Sequence, residues 1–150
     1  TLFILGFAIT LAIICLKLKK IHVGKRFLLP LTFGLYTGWL MIATVVNIAA
    51  ALVKLEWGAF GISHEIWSII ILIIAVGLIF IVLRSNRNPA FPLPAAWAYL
   101  GIYQFLKAPE GFGGQYGILQ VVSLAGMAVL IGMAAIQLYL NNYELYPKNK

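Results

Sequence analysis

The sequence predicts an all-α fold, a polytopic transmembrane helical bundle of about five membrane-spanning helices with the N-terminus outside and the C-terminus cytoplasmic. Three observations carry that prediction. Five apolar segments crowd into 150 residues, charge is too scarce to coat a soluble globule, and Lys and Arg are sorted onto alternate gaps between the segments. Hydrophobic residues make up 63% and charged residues 10% of the chain, and the mean hydropathy is +0.99. A chain of this balance takes lipid as its solvent. Strands of a transmembrane barrel alternate apolar and polar positions, whereas runs such as Ile66-Trp67-Ser68-Ile69-Ile70-Ile71-Leu72-Ile73-Ile74 are apolar on every face. In hydrocarbon only a helix satisfies every backbone donor and acceptor within such an open-ended segment.

The first segment runs from Thr1 to Leu18 and contains Cys15, the single cysteine. No intramolecular disulfide can form, and Cys15 reads as a small core residue. The chain starts in an apolar run with no basic region before it, so a signal-peptide reading fails. The expectation is one transmembrane domain over residues 1–150, the C-terminal part of a longer protein.

The second segment, Leu28 to Val53, carries the densest set of polar and aromatic side chains. Tyr36, Trp39, Ala43, Asn47 and Ala50 follow steps of three and four, which places them along one helix face with Thr44 beside them. Asn47 is the costliest of these in lipid, because its amide brings two donors and an acceptor that need partners. Gly34 and Gly38 form a small-xxx-small spacing that lets another helix approach, and Ala128 with Gly132 repeats it in the fifth segment. The face is either a packing stripe or a ligand-facing surface.

Before the third segment, Ile66 to Leu83, the second loop pairs aromatic residues with glycines. Trp57, Phe60 and Trp67 suit an interfacial belt. Ser63 is placed to cap the helix, with Glu65 in its first turn and His64 in a structural role. The third loop, residues 84–89, reads as a turn whose Arg84 and Arg87 face lipid headgroups or hold a specific phosphate. The fourth segment, Ala90 to Leu106, is short and opens on Pro92 and Pro94, which a helix tolerates only in its first turn. The glycine-rich loop after it lacks the Lys-Ser/Thr ending of a phosphate-binding loop and is expected to be flexible and external. The fifth segment, Gly117 to Leu140, is long enough to span with some tilt.

The formal charge of +7 does not indicate nucleic acid, because the basic residues cap segment ends instead of sharing a face. Lys17, Lys19, Lys20, Lys25 and Arg26 fill the first gap, Arg84 and Arg87 the third, and Lys148 and Lys150 the tail; only Lys54 and Lys107 occupy the second and fourth. Nine basic residues against two place the first and third loops and the C-terminus in the cytoplasm.

Enzymatic chemistry is not expected. The chain has no Asp, its four Glu residues lie in loops or the tail, His22 sits in the basic turn, and no HExxH, GxSxG or paired-cysteine motif occurs. No metal site or cofactor is expected. A transporter or channel would place charged groups deep within several spans, and none is there.

The stretch Tyr36-Thr37-Gly38-Trp39-Leu40-Met41-Ile42-Ala43-Thr44-Val45-Val46-Asn47 resembles the last core helix of the tryptophan-rich sensory protein family, also called the TspO or translocator protein family. That helix reads Pro-Tyr-x-x-Trp-x-x-x-Ala-x-x-x-Asn, and here the Tyr, Trp, Ala and Asn spacings all match. Trp57, Gly58, Phe60, Gly61, Glu65, Ile66 and Trp67 resemble an extended bacterial form with further helices. Pro30 lies six residues before Tyr36 instead of adjacent to it, and the family's Trp-Pro-rich loop and Leu-Asn-x-x-Trp helix have no counterpart here. The likeness therefore equates the second segment with the family's fifth helix and implies three helices before Thr1.

By this resemblance the chain is a non-enzymatic, multi-pass protein of the bacterial cytoplasmic membrane, a receptor-like binder of flat hydrophobic ligands such as porphyrins or sterols. A tetrapyrrole would then be its ligand, the bilayer its surroundings and a homodimer its assembly. The residues expected to bind ligand are Tyr36, Trp39, Thr44, Asn47 and Trp97. In the fourth segment, Trp97, Tyr99, Tyr103 and Gln104 either extend that pocket or anchor at the interface. The competing readings are a structural or assembly subunit packing against partner proteins, or a small transporter component. Sidedness is checked by cysteine-accessibility labelling of intact cells: the Lys19–Lys25 turn should be protected from an impermeant reagent, and labelling from outside would refute the topology.

Overall fold

The computed structural model describes residues 28–54 and 61–145, together with Gly6, Ile9, Thr10 and Ile13. Most of the first expected span, with Cys15, the basic turn with His22, the aromatic residues Trp57 and Phe60, and the basic tail lie outside the described residues. The four isolated positions of that span are helical, and Thr10 Oγ1 donates to Gly6 O at 2.9 Å.

Four helices follow: α1 (Leu28–Lys54), α2 (His64–Asn86), α3 (Leu93–Lys107) and α4 (Gly117–Leu140). Each starts where local chemistry permits. In α1, Pro30 falls in the first turn, where no intrahelical N–H partner is needed. Ser63 caps α2 as expected: its backbone is extended at φ −62°, ψ 149°, and its Oγ accepts from Ile66 N–H at 3.4 Å, with Glu65 in the first turn. The helix ends on Arg87 in the left-handed region at φ 54°.

The start of the fourth expected segment is corrected. Pro92 and Pro94 delay the helix, so residues 90–92 form a turn and α3 begins at Leu93. Its 15 residues reach about 22 Å at 1.5 Å per residue, short of the roughly 30 Å of hydrocarbon. Among the described residues three helices are long and apolar enough to cross a membrane: Leu28–Leu52, His64–Asn86 and Gly117–Leu140. Helix α3 packs most extensively on α4 and then on α1. The loop after it, expected to be flexible, folds back onto α3: Gly114 N–H donates to Leu106 O at 2.9 Å and Gly113 N–H to Ala108 O at 3.0 Å. Positive φ at Gly113 and Gly114 makes that reversal available.

Tyr99 is the largest fully buried side chain. Its hydroxyl donates to Leu72 O of α2, while its ring lies against Gly126 of α4, where an added Cβ would overlap the ring. One α3 side chain thus joins three helices. The Gly34/Gly38 spacing admits the α2–α3 turn and the first residues of α3. A Cβ on Gly34 would fall 2.6 Å from Asn88 Nδ2, and one on Gly38 would collide with Phe91 O. Gly132, in the corresponding pair of the fifth segment, has open space at its Cβ position.

The α2–α3 loop leaves Arg84 and Arg87 exposed, while its asparagines point inward. Asn86 and Asn88 are buried. Asn86 Oδ1 accepts from Asn88 N–H and Asn88 Oδ1 from Ala90 N–H, each at 3.0 Å, while Asn88 Nδ2 donates to Pro30 O at 2.7 Å. From α4, Gln137 Nε2 donates to Asn141 Oδ1 at 2.9 Å and Asn141 Nδ2 to Arg87 O at 2.8 Å. Asn88→Ala leaves Ala90 N–H without its acceptor and frees the loop from α1, which should cost about 2–3 kcal/mol. Tyr99→Phe, losing one hydroxyl bond, should cost only about 1 kcal/mol. Thermal unfolding in detergent checks both, and an Asn88→Ala protein melting at or above Tyr99→Phe would contradict this ranking.

Candidate functional site

Two regions of α1 invite a ligand, and they lie on different faces. On the first, Tyr36, Trp39, Ala43 and Asn47 align as their spacing requires. Tyr36 is 47% and Trp39 51% exposed. Asn47 is half-buried, and its Nδ2 donates to Ala43 O one turn back at 2.8 Å. Thr44 turns toward the packed side: it is buried, and its Oγ1 donates to Leu40 O at 2.7 Å. Back-bonding of this kind makes a polar side chain tolerable in lipid. Trp97 stands on α3 at 70% exposure. The structure thus groups Tyr36, Trp39 and Asn47, turns Thr44 away from them and places Trp97 on another helix.

The second region is a cavity of ≈ 560 Å³, within the range of ligand pockets. From α1 it is lined by Ile42, Val45, Val46 and Ala49, and from α2 by Ser68, Ile71, Leu72 and Ala75. The C-terminal half of α3 supplies Ala98, Gly101, Ile102, Phe105 and Leu106, and Phe112 and Leu119 complete the wall. Among the described residues that line it, Ser68 is the one polar side chain, and its hydroxyl donates to His64 O at 2.8 Å. An aromatic cluster stands at its end: Phe105 and Phe112 pack edge-to-face at 5.6 Å between centroids, and Phe112 and Tyr116 at 5.1 Å. None of the five residues expected to bind ligand lines this cavity. At 3.6 residues per turn, its α1 face lies roughly 110° around the axis from the Tyr36–Asn47 face.

Sequence reasoning missed the cavity because it arises where four helices fail to fill the space between them, and no single segment encodes that. Ala49, Ala98 and Gly101 are the only local signal, small side chains on converging helices. It also missed the inward asparagines, for which Asn86-Arg87-Asn88-Pro89 did carry a signal: such residues bond backbone groups two positions on.

Long apolar helices with a buried polar end and an apolar interior cavity define a multi-pass membrane protein. The chain belongs to the TSPO-like protein family, whose sequence profile matches residues 1–136. That match runs past the twelve-residue motif of α1 through most of α4. No curated protein and no solved structure matches the chain.

Proposed function

We propose that this protein is a non-enzymatic ligand-handling protein of the membrane that binds flat hydrophobic molecules, porphyrins or sterols among them, on the Tyr36–Trp39–Asn47 face of α1. The observation that carries this reading is the exposure of Tyr36 and Trp39 on one helix face in register with Asn47. Aromatic faces stack on a planar ring system, and an amide orients it by a single polar contact. One Asn47 N–H serves Ala43 O, which fixes the side chain on its helix and directs the rest of the amide to the ligand. Family membership supports the same reading. Thr44 supports the helix from behind, and Trp97 acts as an interfacial anchor.

The asparagine-rich end, from which Arg84 and Arg87 project, faces the cytoplasm by the distribution of basic residues, and the Phe112–Tyr116 end faces outward. The bacterial cytoplasmic membrane and a homodimer are parts of this proposal.

The test is titration of the detergent-solubilised protein with protoporphyrin IX, followed by quenching of Trp fluorescence. Wild type should quench saturably. Trp39→Ala and Asn47→Ala should each raise Kd about tenfold, equivalent to about 1.4 kcal/mol, whereas Trp97→Phe should leave it unchanged. A Trp39→Ala/Asn47→Ala protein that binds as wild type does would rule out this face as the site.

A further inference from the structure

The cavity between the four helices is a separate matter from the Tyr36–Asn47 face. We infer that it is a binding site for one acyl chain of a membrane phospholipid, from the leaflet at the Phe112–Tyr116 end of the bundle. The lining decides the chemistry. Among the described residues the lining holds no charged side chain, and its only hydroxyl, Ser68, is already donated to His64 O. A carboxylate, propionate or amide drawn inside would lose its water without gaining a partner, which disfavours any ligand with a polar group at depth. A hydrocarbon chain loses nothing by entering.

Shape and placement point the same way. The walls extend from Ile42 to Ala49 on α1 and from Ala98 to Leu106 on α3, about 10–12 Å along the axes at 1.5 Å per residue. That is most of the roughly 15 Å of hydrocarbon in one leaflet. The opposite end of the bundle is closed by the Asn86, Asn88 and Asn141 hydrogen bonds. Three lining residues are well exposed, Val46 at 51%, Phe105 at 57% and Phe112 at 43%. The mouth is therefore apolar and opens sideways, toward lipid instead of water. Water has no reason to occupy a space of this lining, because it would find too few hydrogen-bond partners there. Left empty, the walls would forfeit their dispersion contacts, so the surrounding acyl chains are the material at hand to fill it.

Gly101 supplies the test. An added Cβ there meets nothing within 4 Å, so Gly101→Phe brings a ring to the cavity wall from a position where its Cβ meets no neighbour, and it removes a helix-interior glycine. The full chain is reconstituted in phosphatidylcholine nanodiscs doped with a phosphatidylcholine that carries a diazirine at mid-chain, then photolysed, and the labelled peptides are mapped by mass spectrometry. Labelling should concentrate in residues 42–49 and 98–106. Gly101→Phe should lower it there about tenfold, equivalent to about 1.4 kcal/mol of preference, while labelling at the outward-facing Ile73 and Ile81 stays constant. Ala49→Phe, which fills the cavity from the opposite wall, should reproduce the loss and guards against misfolding of the first variant. Uniform labelling of all outward apolar positions, insensitive to both variants, would overturn the inference. So would labelling by a diazirine fatty acid but not by the phospholipid, or displacement of the lipid label by protoporphyrin IX, which would make the cavity the flat-ligand site. Failure of protoporphyrin to bind at all, with the lipid label intact, would instead sink only the reading of the Tyr36–Asn47 face.

Discussion

The bond from Asn88 Nδ2 to Pro30 O, 58 residues apart in sequence, is the contact on which the arrangement of the bundle depends. In hydrocarbon, helices gain little from burying apolar surface against each other, because lipid is equally apolar, so close packing and polar contacts must define which helices meet. Asn88 supplies both. Its amide fits the space left by Gly34, where a methyl group would intrude to 2.6 Å, and its carbonyl holds Ala90 N–H in the turn that launches α3. Through Arg87 O, the same loop receives Asn141 from the end of α4. The α1 N-terminus, the α2 C-terminus, the start of α3 and the α4 C-terminus are gathered at one end by groups that would be costly to leave unpaired.

The other half of the bundle is built differently. Its described cavity wall is aliphatic and aromatic apart from Ser68, with the Tyr99 hydroxyl reaching Leu72 O beside it. A short α3 is consistent with this division. Its N-terminal residues Ala95 and Ala96 are buried in the clamped half, whereas Gly101 and Phe105 are exposed in the open half. The glycine-rich loop then folds back over the end of α3, where Gly111 allows the chain to pass the Phe105 carbonyl. One helix thus serves as core at one end and as cavity wall at the other.

Much of the fold was legible in the sequence, and the legible parts share a cause. Helix limits follow from local rules: hydropathy gave Gly117–Leu140 residue for residue, Leu28–Lys54 to within one residue, and the Ser63 cap with Glu65 located the start of α2. At the fourth segment the difference was one of limits, since the helix starts at Leu93 and not at Ala90. Its composition is apolar like the others, and apolarity alone does not say whether a helix faces lipid or neighbours; only its 15-residue length separates the cases. Inward-turned asparagines were illegible for a related reason. A turn composition announces bonds to nearby backbone, but not that Asn88 would also serve Pro30. The Tyr36–Trp39–Asn47 face of the proposed site was legible, since periodicity alone aligns these residues, while Thr44 shows that adjacency to a face is not membership of it.

The two faces of α1 are not energetically alike, and the difference bears on how the helix can be used. Gly34 and Gly38, locked against Asn88 and Phe91, bracket Tyr36, so the aromatic part of the Tyr36–Asn47 face is anchored where the bundle is most constrained. Asn47 lies two turns beyond Trp39, level with Val45, Val46 and Ala49, whose side chains border the cavity. Rings that stack on a planar ligand need a fixed platform more than a polar group does, because an amide retains hydrogen-bond geometry over a wider range of positions than a stacked ring retains its overlap. On the proposed reading of this face, the clamp sits where stacking on a ligand requires it. The neighbouring volume lies beside the part of the helix to which the proposal gives a directional role, and the Asn47 bond to Ala43 O ties that amide to α1 itself.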